Sequence, residues 1–308
     1  TSAKAATGMR IDVLKVPRRE QAMTPYEVML SESQERMLAI VEKGREAEVA
    51  AVFHKWGLNA EIIGEVTDDG QVTVMEGDTC VARVPADWLA DRCPTYTLEA
   101  SEPAYYHQVQ AADLSGVPEP ADLNAVLLAL LAHPSIASKR WVYRQYDHQV
   151  QTNTVTVPGA GDAAVLRVRG SRKGIAATTD CNPRFCYLDP YIGAQNAVAE
   201  AARNLACVGA RPAGVTDCLN FGNPQKPEAF WQFREAVKGM AAACDAWGIP
   251  IVSGNVSFYN ETPDGSIFPT PAIGMVGILD DVERRAEMAF RKDGDIVILL
   301  GAPAGGRA

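Results

Sequence analysis

Residues 214–224 have the sequence Gly-Val-Thr-Asp-Cys-Leu-Asn-Phe-Gly-Asn-Pro. The apolar positions over 214–221 predict a strand, and the Gly-Asn-Pro that follows predicts a turn. Ligands in α/β proteins commonly lie at such strand ends, although an ordinary turn rich in Asn and Gly explains the same residues. Asp217 lies inside the strand, where a buried carboxylate without a partner is unfavourable. We therefore expect Asp217 to contact a cation, a metal ion or a ribose hydroxyl.

A second polar strand end lies further along the chain. Residues 251–262 have the sequence Ile-Val-Ser-Gly-Asn-Val-Ser-Phe-Tyr-Asn-Glu-Thr, and a strand is predicted over 249–253. Gly254 would let a nucleotide approach the backbone closely, and the amide oxygen of Asn255 suits a hard cation such as Mg²⁺. Asn255 and Asn260 also begin N-x-[ST] patterns, but glycosylation requires a secretory route of which the sequence shows no sign.

Helices and further strands surround these two segments. Apolar residues at helical spacing form one stripe at Ala197, Val198, Ala201, Ala202, Leu205 and Val208, and another at Phe230, Phe233, Val237, Met240, Ala241 and Cys244. Further strands are predicted over 175–179 and 272–279. This alternation predicts an α+β or α/β domain over 122–285.

The first 95 residues predict a smaller α/β unit. Strands are predicted at 9–13, 36–42, 60–66 and 71–75. A helix is predicted around 49–56, and Gly57 ends it. Asp68-Asp69-Gly70 predicts a hairpin turn between the last two strands. The prolines within 96–121 predict a linker between the two domains.

Both ends of the chain favour an internal fragment. Residues 293–301 predict a buried strand only seven residues before the last one, so 286–308 should open a domain that is not completed. The predicted strand at 9–13 follows a first residue that is not methionine.

Residues 23–38 carry the polar run Ser-Glu-Ser-Gln-Glu within an apolar context. The spacing of Ser31 and Gln34 fits a helix capping box, which needs no ligand. The alternative is that Glu32, Ser33 and Gln34 present their polar groups to a sugar phosphate or an amide. Periodicity alone leaves both interpretations open.

A third candidate site combines Asp162, Glu200 and Asn204. Glu200 and Asn204 are four residues apart and project from one helix face, while Asp162 follows a glycine-rich turn. Mg²⁺ bound to a polyphosphate takes few protein oxygens, so these three could hold one ion. An exposed polar pair and an unrelated tight turn explain the same spacing.

Composition excludes several classes of function. The net charge is -9, and no Lys/Arg cluster suggests a nucleic-acid or anionic-membrane surface. Seven scattered cysteines without a C-x-x-C pair indicate reduced thiols and no zinc site. No signal peptide or membrane-spanning run is apparent, so we expect a cytoplasmic location. The sequence contains neither a Walker A loop nor G-x-G-x-x-G.

Three blocks together resemble the phosphoribosylformylglycinamidine synthase family. They are Met-Thr-Pro-Tyr-Glu-Val-Met-Leu-Ser-Glu-Ser-Gln-Glu-Arg-Met from Met23, Thr-Asp-Cys-Leu-Asn-Phe-Gly-Asn-Pro from Thr216, and Ser-Gly-Asn-Val-Ser-Phe-Tyr-Asn-Glu-Thr from Ser253. The resemblance runs from about residue 11 to 280 and is strongest to the large synthetase subunit of the bacterial small type. It implies halves of a fold like aminoimidazole ribonucleotide synthetase. Residues 1–95 resemble the C-terminal α/β half of the first repeat, and 122–285 the N-terminal barrel half of the second.

The resemblance implies an ATP-dependent ligase of purine biosynthesis. The family converts formylglycinamide ribonucleotide, ATP and glutamine to formylglycinamidine ribonucleotide, with a glutaminase and a small accessory subunit as partners and Mg²⁺ as cofactor. The family's catalytic histidine belongs to a barrel half with no counterpart here, so the isolated chain is expected to be inactive and no catalytic residue is assigned.

The resemblance also implies roles for individual residues. Glu32, Ser33, Gln34 and Ser257 would bind the ribonucleotide substrate, Asp217 and Gly254 would bind ATP, and Asn255 would bind Mg²⁺. In relatives a second, structural ADP uses a magnesium site that matches Asp162, Glu200 and Asn204. Lys139, ahead of a strand predicted at 140–143, would contact a phosphate there.

Two other functions remain open from the sequence. Another ATP-dependent synthetase or kinase of the same fold would need a different signature in place of residues 23–37. A non-catalytic nucleotide-binding module would bind ATP without turnover, so an ATPase and amidation assay separates it from the enzyme.

Overall fold

The computed structural model describes residues 2–32 and 36–301, which form two compact units divided after Tyr96. The first unit contains α1 (Ser2–Ala5), β1 (Gly8–Asp12), α2 (Pro25–Leu30), α3 (Glu46–Lys55), β2 (Gly64–Thr67), β3 (Gln71–Glu76) and β4 (Thr79–Pro85). Its sheet has the order β2-β1-β3-β4, and a small core forms where Val13, Val28 and Val74 meet. In the described residues no helix is long and apolar enough to cross a membrane.

The hairpin predicted at Asp68-Asp69-Gly70 is wrong. Gly70 does adopt a positive φ of 66°, but β2 and β3 do not pair with each other. Both pair with β1, which lies between them, antiparallel to β2 and parallel to β3. The turn residues correctly predicted that the chain reverses direction between β2 and β3. They could not predict that β1, which is distant in the sequence, lies between these two strands.

Two other predictions for this unit need correction. Residues 36–42 form no strand, and no described strand pairs with them; Met37 is 84% exposed. The capping box lies at Thr24 and Glu27, not at Ser31. The Glu27 carboxylate accepts from the Thr24 backbone N–H at 2.8 Å, and the Thr24 hydroxyl accepts from the Glu27 N–H at 3.3 Å. Ser31 instead ends α2, and Gln34 lies outside the described residues.

The second unit is built on a six-stranded sheet covered by two long helices. Its helices are α4 (Ala104–Gln110), α5 (Leu123–Ala132), α6 (Arg140–Tyr143), α7 (Pro183–Leu188), α8 (Pro190–Cys207) and α9 (Pro227–Trp247). Its strands are β5 (Thr154–Thr156), β6 (Ala164–Arg167), β7 (Gly174–Asp180), β8 (Arg211–Asn220), β9 (Ile251–Ser257), β10 (Glu261–Thr262), β11 (Gly265–Ser266) and β12 (Thr270–Leu279). The sheet order is β5-β6-β7-β12-β8-β9, and β10 pairs with β11 as a separate hairpin.

The core of this unit lies between the sheet and helices α8 and α9. Strand residues Val165, Ala176, Val215, Ile273 and Met275 meet helix residues Val198, Ala201, Leu205, Ala236 and Met240. Asp189 caps α8 by accepting from the Ile192 N–H at 2.9 Å, and Pro190 occupies the first turn. Gly248, at φ 64°, ends α9 in the left-handed conformation. The predicted strands 175–179, 214–221 and 272–279 and both predicted helices are therefore confirmed.

Three predictions in the second unit are wrong. The predicted linker 96–121 contains α4, which packs against α7: the Tyr105 and Tyr187 rings stack with centroids 4.1 Å apart, and the Tyr105 hydroxyl donates to the Tyr187 carbonyl at 3.0 Å. Pro103 stands directly before α4, so this proline marks a helix start. Residues 140–143 form a helix instead of a strand. Residues 293–301 form no strand, and Leu300 is 89% exposed, because no described strand pairs with them.

Close contact between α8 and α9 depends on Gly239. A Cβ added there would lie 2.1 Å from the carbonyl oxygen of Tyr191. Alanine normally stabilises a helix interior by about 0.5–1 kcal/mol relative to glycine. We predict that Gly239→Ala instead destabilises the protein by roughly 1–3 kcal/mol, because the helices must separate. The urea midpoint measures this effect. Gly116→Ala, whose added Cβ would contact nothing within 4 Å, is the control, and equal midpoints for both variants would contradict the prediction.

Candidate functional site

The parallel pairing of β8 with β9 brings the two predicted polar strand ends together. Asp217 pairs with Gly254, Cys218 with Asn255, and Asn220 with Ser257. Helix α9 connects the two strands, so both run in the same direction and their carboxyl ends lie at one edge of the sheet. The residues proposed for ATP, magnesium and substrate therefore occupy adjacent strands.

Gly254 and Asp217 are in direct contact. A Cβ added to Gly254 would lie 2.4 Å from Oδ1 of Asp217 and 2.6 Å from its Oδ2. Any side chain at 254 would displace this carboxylate, so the glycine is required by its neighbour. From the sequence, we expected that Gly254 lacks a side chain so that a nucleotide can approach the backbone closely. The structure shows that the space beside Gly254 is taken by Asp217.

Asp217 is a partly buried carboxylate on the face of the sheet that also carries Ile273. It pairs with Ile273 of β12, a fully buried core residue. Burial raises the pKa of the Asp217 carboxyl above its ordinary value. Among the described residues no hydrogen-bond donor contacts this carboxylate. A partly buried carboxylate without a partner can bind a cation or accept a hydrogen bond from a ribose hydroxyl.

Asn255 and Ser257 lie on the opposite face of the sheet. The hydroxyl of Ser253 donates to that of Thr216 at 2.8 Å, which places the alternate residues 253, 255 and 257 on the side away from Asp217. Asn255 is exposed, and Ser257 is partly buried at the strand end. The predicted residues are thus close in register but divided between two faces, so a ligand that touches all of them must reach around the strand ends.

In the predicted site of Asp162, Glu200 and Asn204, the Asn204 side chain contacts a residue that the sequence analysis missed. Its amide nitrogen donates to Oδ1 of Asp180 at 2.8 Å, and the Thr178 hydroxyl donates to Oδ2 at 2.7 Å. Burial raises the pKa of the Asp180 carboxyl, and these two hydrogen bonds oppose that rise. Because the Asn204 amide nitrogen donates to Asp180, the Asn204 oxygen points away from Asp180 and could coordinate a cation. The sequence does place Asp180, an acidic residue, directly after the predicted strand 175–179, and this position could have indicated its role.

The other members of this cluster are exposed. A hydrogen bond with Cys186 lowers the pKa of the Cys181 thiol; burial and the negative charge of Glu200 oppose this shift, so Glu200 lies near Cys181, the residue after Asp180. Asp162 follows Gly161, which packs against Thr156 and Val208. Within residues 2–32 and 36–301, no three His, Cys, Asp or Glu side chains are grouped closely enough to hold a metal. A magnesium ion held by Asp162, Glu200 and Asn204 would take its remaining ligands from the phosphates of its nucleotide.

The glycine turn before Asp162 has neighbours from two other segments. A Cβ on Gly159 would lie 3.2 Å from the Tyr143 hydroxyl, and the Met288 N–H donates to the Ala160 carbonyl at 3.0 Å. Tyr143 belongs to α6, which Lys139 precedes. Lys139 itself donates to the Ala137 carbonyl at 2.8 Å and to the Pro134 carbonyl, so it would have to leave these partners to contact a phosphate.

The candidate group of Glu32, Ser33 and Gln34 lies in the first unit. Glu32 is exposed, whereas Ser33 and Gln34 lie outside the described residues. Arg36 donates to the hydroxyl of Ser31 at 3.3 Å and to its carbonyl. These contacts join Arg36 to Ser31 at the end of α2.

Comparison with known proteins identifies both units. The first matches the AIR synthase related protein, C-terminal domain, over residues 2–77, and the second matches the AIR synthase related protein, N-terminal domain, over residues 160–279. Together these matches take in more than half of the chain. The chain belongs to the AIR synthase related family. The predicted fold class and the order of its halves, C-terminal before N-terminal, are confirmed.

Within this AIR synthase related family the chain is similar to one named subunit over nearly its whole length. It is 59% identical to "Phosphoribosylformylglycinamidine synthase subunit PurL" of Moorella thermoacetica and 54% identical to that of Thermomicrobium roseum, in each case over 97% of this chain and 41% of the relative. A structure of Thermotoga maritima PurL complexed with ADP superposes with a TM-score of 0.70 at 30% identity, covering 92% of this chain and 44% of that one. The chain thus spans less than half the length of the relatives it matches.

Replacement of Asp217 should stabilise the folded protein at neutral pH. Its raised pKa means that the contribution of this carboxyl to stability is present at low pH and is lost as the pH rises through the folded-state pKa. Asp217→Asn should therefore raise the melting temperature at pH 7, by at most about 3 °C. The difference should disappear below the ordinary aspartate pKa of about 3.9.

Thermal unfolding between pH 3 and pH 8 measures this effect. Asp264→Asn, at an exposed position between β10 and β11, is the matched control and should change little. A lower melting temperature for Asp217→Asn at pH 7 would show that the carboxylate makes a stabilising contact, and it would contradict the prediction.

Proposed function

We propose that this chain acts in the ATP-dependent amidation of formylglycinamide ribonucleotide to formylglycinamidine ribonucleotide, a step of purine biosynthesis. The observation that carries the proposal is the pairing of Asp217 with Gly254 at the carboxyl ends of β8 and β9, beside Asn255 and Ser257. Similarity to PurL subunits supports it. Solved structures of T. maritima PurL complexed with ATP and with FGAR, 28% and 29% identical to this chain, support nucleotide and ribonucleotide ligands.

Each residue then has a distinct role in the proposed reaction. Asp217 and Gly254 contact ATP, Asn255 supplies an oxygen to Mg²⁺, and Ser257 binds the ribonucleotide. Magnesium, when bound, offsets the charge that develops on the transferred phosphoryl group. The amide oxygen of Asn255 suits this ion because hard cations prefer oxygen ligands and Asn255 is exposed.

The chemistry follows from activation of a poor leaving group. The amide oxygen of the substrate attacks the γ-phosphorus of ATP, ADP leaves, and the oxygen becomes a phosphate ester. Ammonia then adds to the same carbon and phosphate departs, which leaves the amidine. Asp217, Gly254, Asn255 and Ser257 would bind and orient the two substrates, which places the substrate oxygen near the phosphoryl group. Ammonia would come from a glutaminase subunit, assembled with a small accessory subunit.

A second nucleotide site is proposed at Asp162, Glu200 and Asn204. The hydrogen bond from Asn204 to Asp180 supports it, because it orients the Asn204 amide with its oxygen free. Lys139 would contact a phosphate of an ADP that serves structure instead of catalysis. The second function kept open, a nucleotide-binding module without turnover, would use this same site.

Loss of the Asn255 amide should weaken the binding of magnesium-ATP. Asn255→Ala removes one oxygen ligand, and we expect roughly tenfold weaker binding, as for loss of one contact to a charged group. Isothermal titration with a non-hydrolysable ATP analogue, with and without Mg²⁺, measures this. Asn196→Ala, an exposed asparagine on α8, is the matched control. If both variants bind as the unmodified chain does, Asn255 holds no magnesium.

The second site predicts stabilisation by ADP with Mg²⁺. A ligand that binds only the folded state stabilises it by about 2.7 kcal/mol at one hundred times its Kd. The melting temperature should rise with ADP and Mg²⁺, and Glu200→Gln should reduce the rise because it removes a negative charge near the cation. The experiment is a thermal-shift titration. Equal stabilisation of Glu200→Gln and the unmodified chain would remove Glu200 from the site.

A further inference from the structure

The turn after β9 is held in an unfavourable backbone conformation. Tyr259 has φ 60°, in the left-handed region that residues other than glycine seldom adopt, and its side chain is 57% exposed. Buried packing of the tyrosine ring therefore does not explain the conformation. The turn instead folds the chain back onto the end of β8, where the Tyr259 N–H donates to the Gly222 carbonyl at 3.1 Å.

The turn places Asn260, the residue after Tyr259, against the ends of β8 and β9. Its backbone N–H donates to the Phe221 carbonyl at 3.1 Å. Its side-chain amide nitrogen lies 3.1 Å from the same carbonyl and 2.8 Å from the carbonyl of Ser257. Phe221 follows β8 and Ser257 ends β9, and the Phe221 N–H donates to the Ser257 carbonyl at 3.0 Å. One partly buried amide therefore ties together the carboxyl ends of both strands.

The same amide also contacts the Ser257 hydroxyl. The Asn260 nitrogen lies 3.1 Å from Oγ of Ser257, and the Asn260 oxygen lies 3.3 Å from it. A serine hydroxyl otherwise rotates among three staggered positions, and the energy needed to fix it would reduce the affinity for a ligand. A hydrogen bond donated by this hydroxyl to the Asn260 oxygen would hold it in one orientation before any ligand binds.

We propose that Asn260 is a positioning residue, which orients the Ser257 hydroxyl toward the ribonucleotide substrate. The inference rests on the proposed function, in which Ser257 contacts that substrate, and adds a residue that the sequence resemblance did not assign. Asn260 acts through Ser257. Its removal should thus weaken the binding of the ribonucleotide and leave the binding of nucleotide at Asp217 and Asn255 nearly unchanged.

The neighbouring hairpin keeps Asn260 in place. The Ile267 N–H donates to the Asn260 carbonyl at 3.0 Å, and the Glu261 carboxylate accepts from Lys226 at 2.9 Å and from the Ser266 hydroxyl at 3.1 Å. Ser266 in turn lies against Gly222, where an added Cβ would be 2.4 Å from its oxygen. These contacts fix the turn independently of the Asn260 side chain, so a substitution at 260 should leave the fold intact.

A double-mutant cycle on this chain tests the proposal. The affinity for formylglycinamide ribonucleotide is measured by isothermal titration for Asn260→Ala, Ser257→Ala and the double variant. If Asn260 acts through Ser257, each single variant loses about tenfold and the double variant also loses about tenfold. A purely structural role predicts about a hundredfold loss in the double variant, together with weaker binding of the ATP analogue, and would overturn the proposal.

Two controls keep the result decisive. Asn223→Ala alters an asparagine whose oxygen accepts from the Gln225 N–H in the neighbouring turn, and it should change neither affinity. Asn260→Gln keeps the amide but moves it by one methylene, so it should lose as much ribonucleotide affinity as Asn260→Ala. If Asn260→Ala does not fold, Asn260→Gln takes its place in the cycle. Normal ribonucleotide binding by Asn260→Gln would contradict a role that depends on orientation.

Failure of the proposed function gives a different result. If the unmodified chain does not bind the ribonucleotide, the proposed function is overturned, and a crystal structure of Asn260→Ala then decides the inference alone. Several Ser257 rotamers in that structure would support orientation by Asn260. A single unchanged rotamer would refute it.

Discussion

The parallel pairing of β8 with β9 is the interaction on which the candidate site depends. Every other neighbouring pair in the six-stranded sheet is antiparallel, and only this pair has two carboxyl ends at one edge. The pairing needs a crossover, which α9 provides, and α9 can pack closely because Gly239 lets it approach α8. The packing of α9 against α8 therefore supports both the core and the pairing that brings the polar residues of β8 and β9 together.

Three polar contacts extend this arrangement. Asp217 takes the space that Gly254 leaves, Asn260 joins the two strand ends, and Asp180 orients Asn204 on the far side of β12. Asp217 and Asp180 both have raised pKa values because of burial, a cost in stability that ligand contacts would offset. Their destabilised carboxylates lie where the nucleotides are proposed to bind.

Sequence reasoning succeeded where the signal is local. Alternating apolar residues predicted the strands at 175–179 and 272–279, and helical spacing predicted α8 and α9. It failed where pairing is distant: β1 inserts between β2 and β3, and residues 293–301 lack a described partner despite their apolar composition. Asp180 and Asn260 were missed for a similar reason, since their roles depend on side-chain contacts that spacing alone does not encode.

The proposed function requires a nucleotide with its magnesium ion at the carboxyl ends of β8 and β9. Anomalous diffraction from crystals of this chain grown with Mn²⁺ and a non-hydrolysable ATP analogue tests it most directly, because Mn²⁺ replaces Mg²⁺ and can be located without assumptions about the ligand. We expect a manganese peak at coordinating distance from the Asn255 amide oxygen, with the nucleotide reaching Asp217. Bound nucleotide with its only manganese peak elsewhere would contradict it.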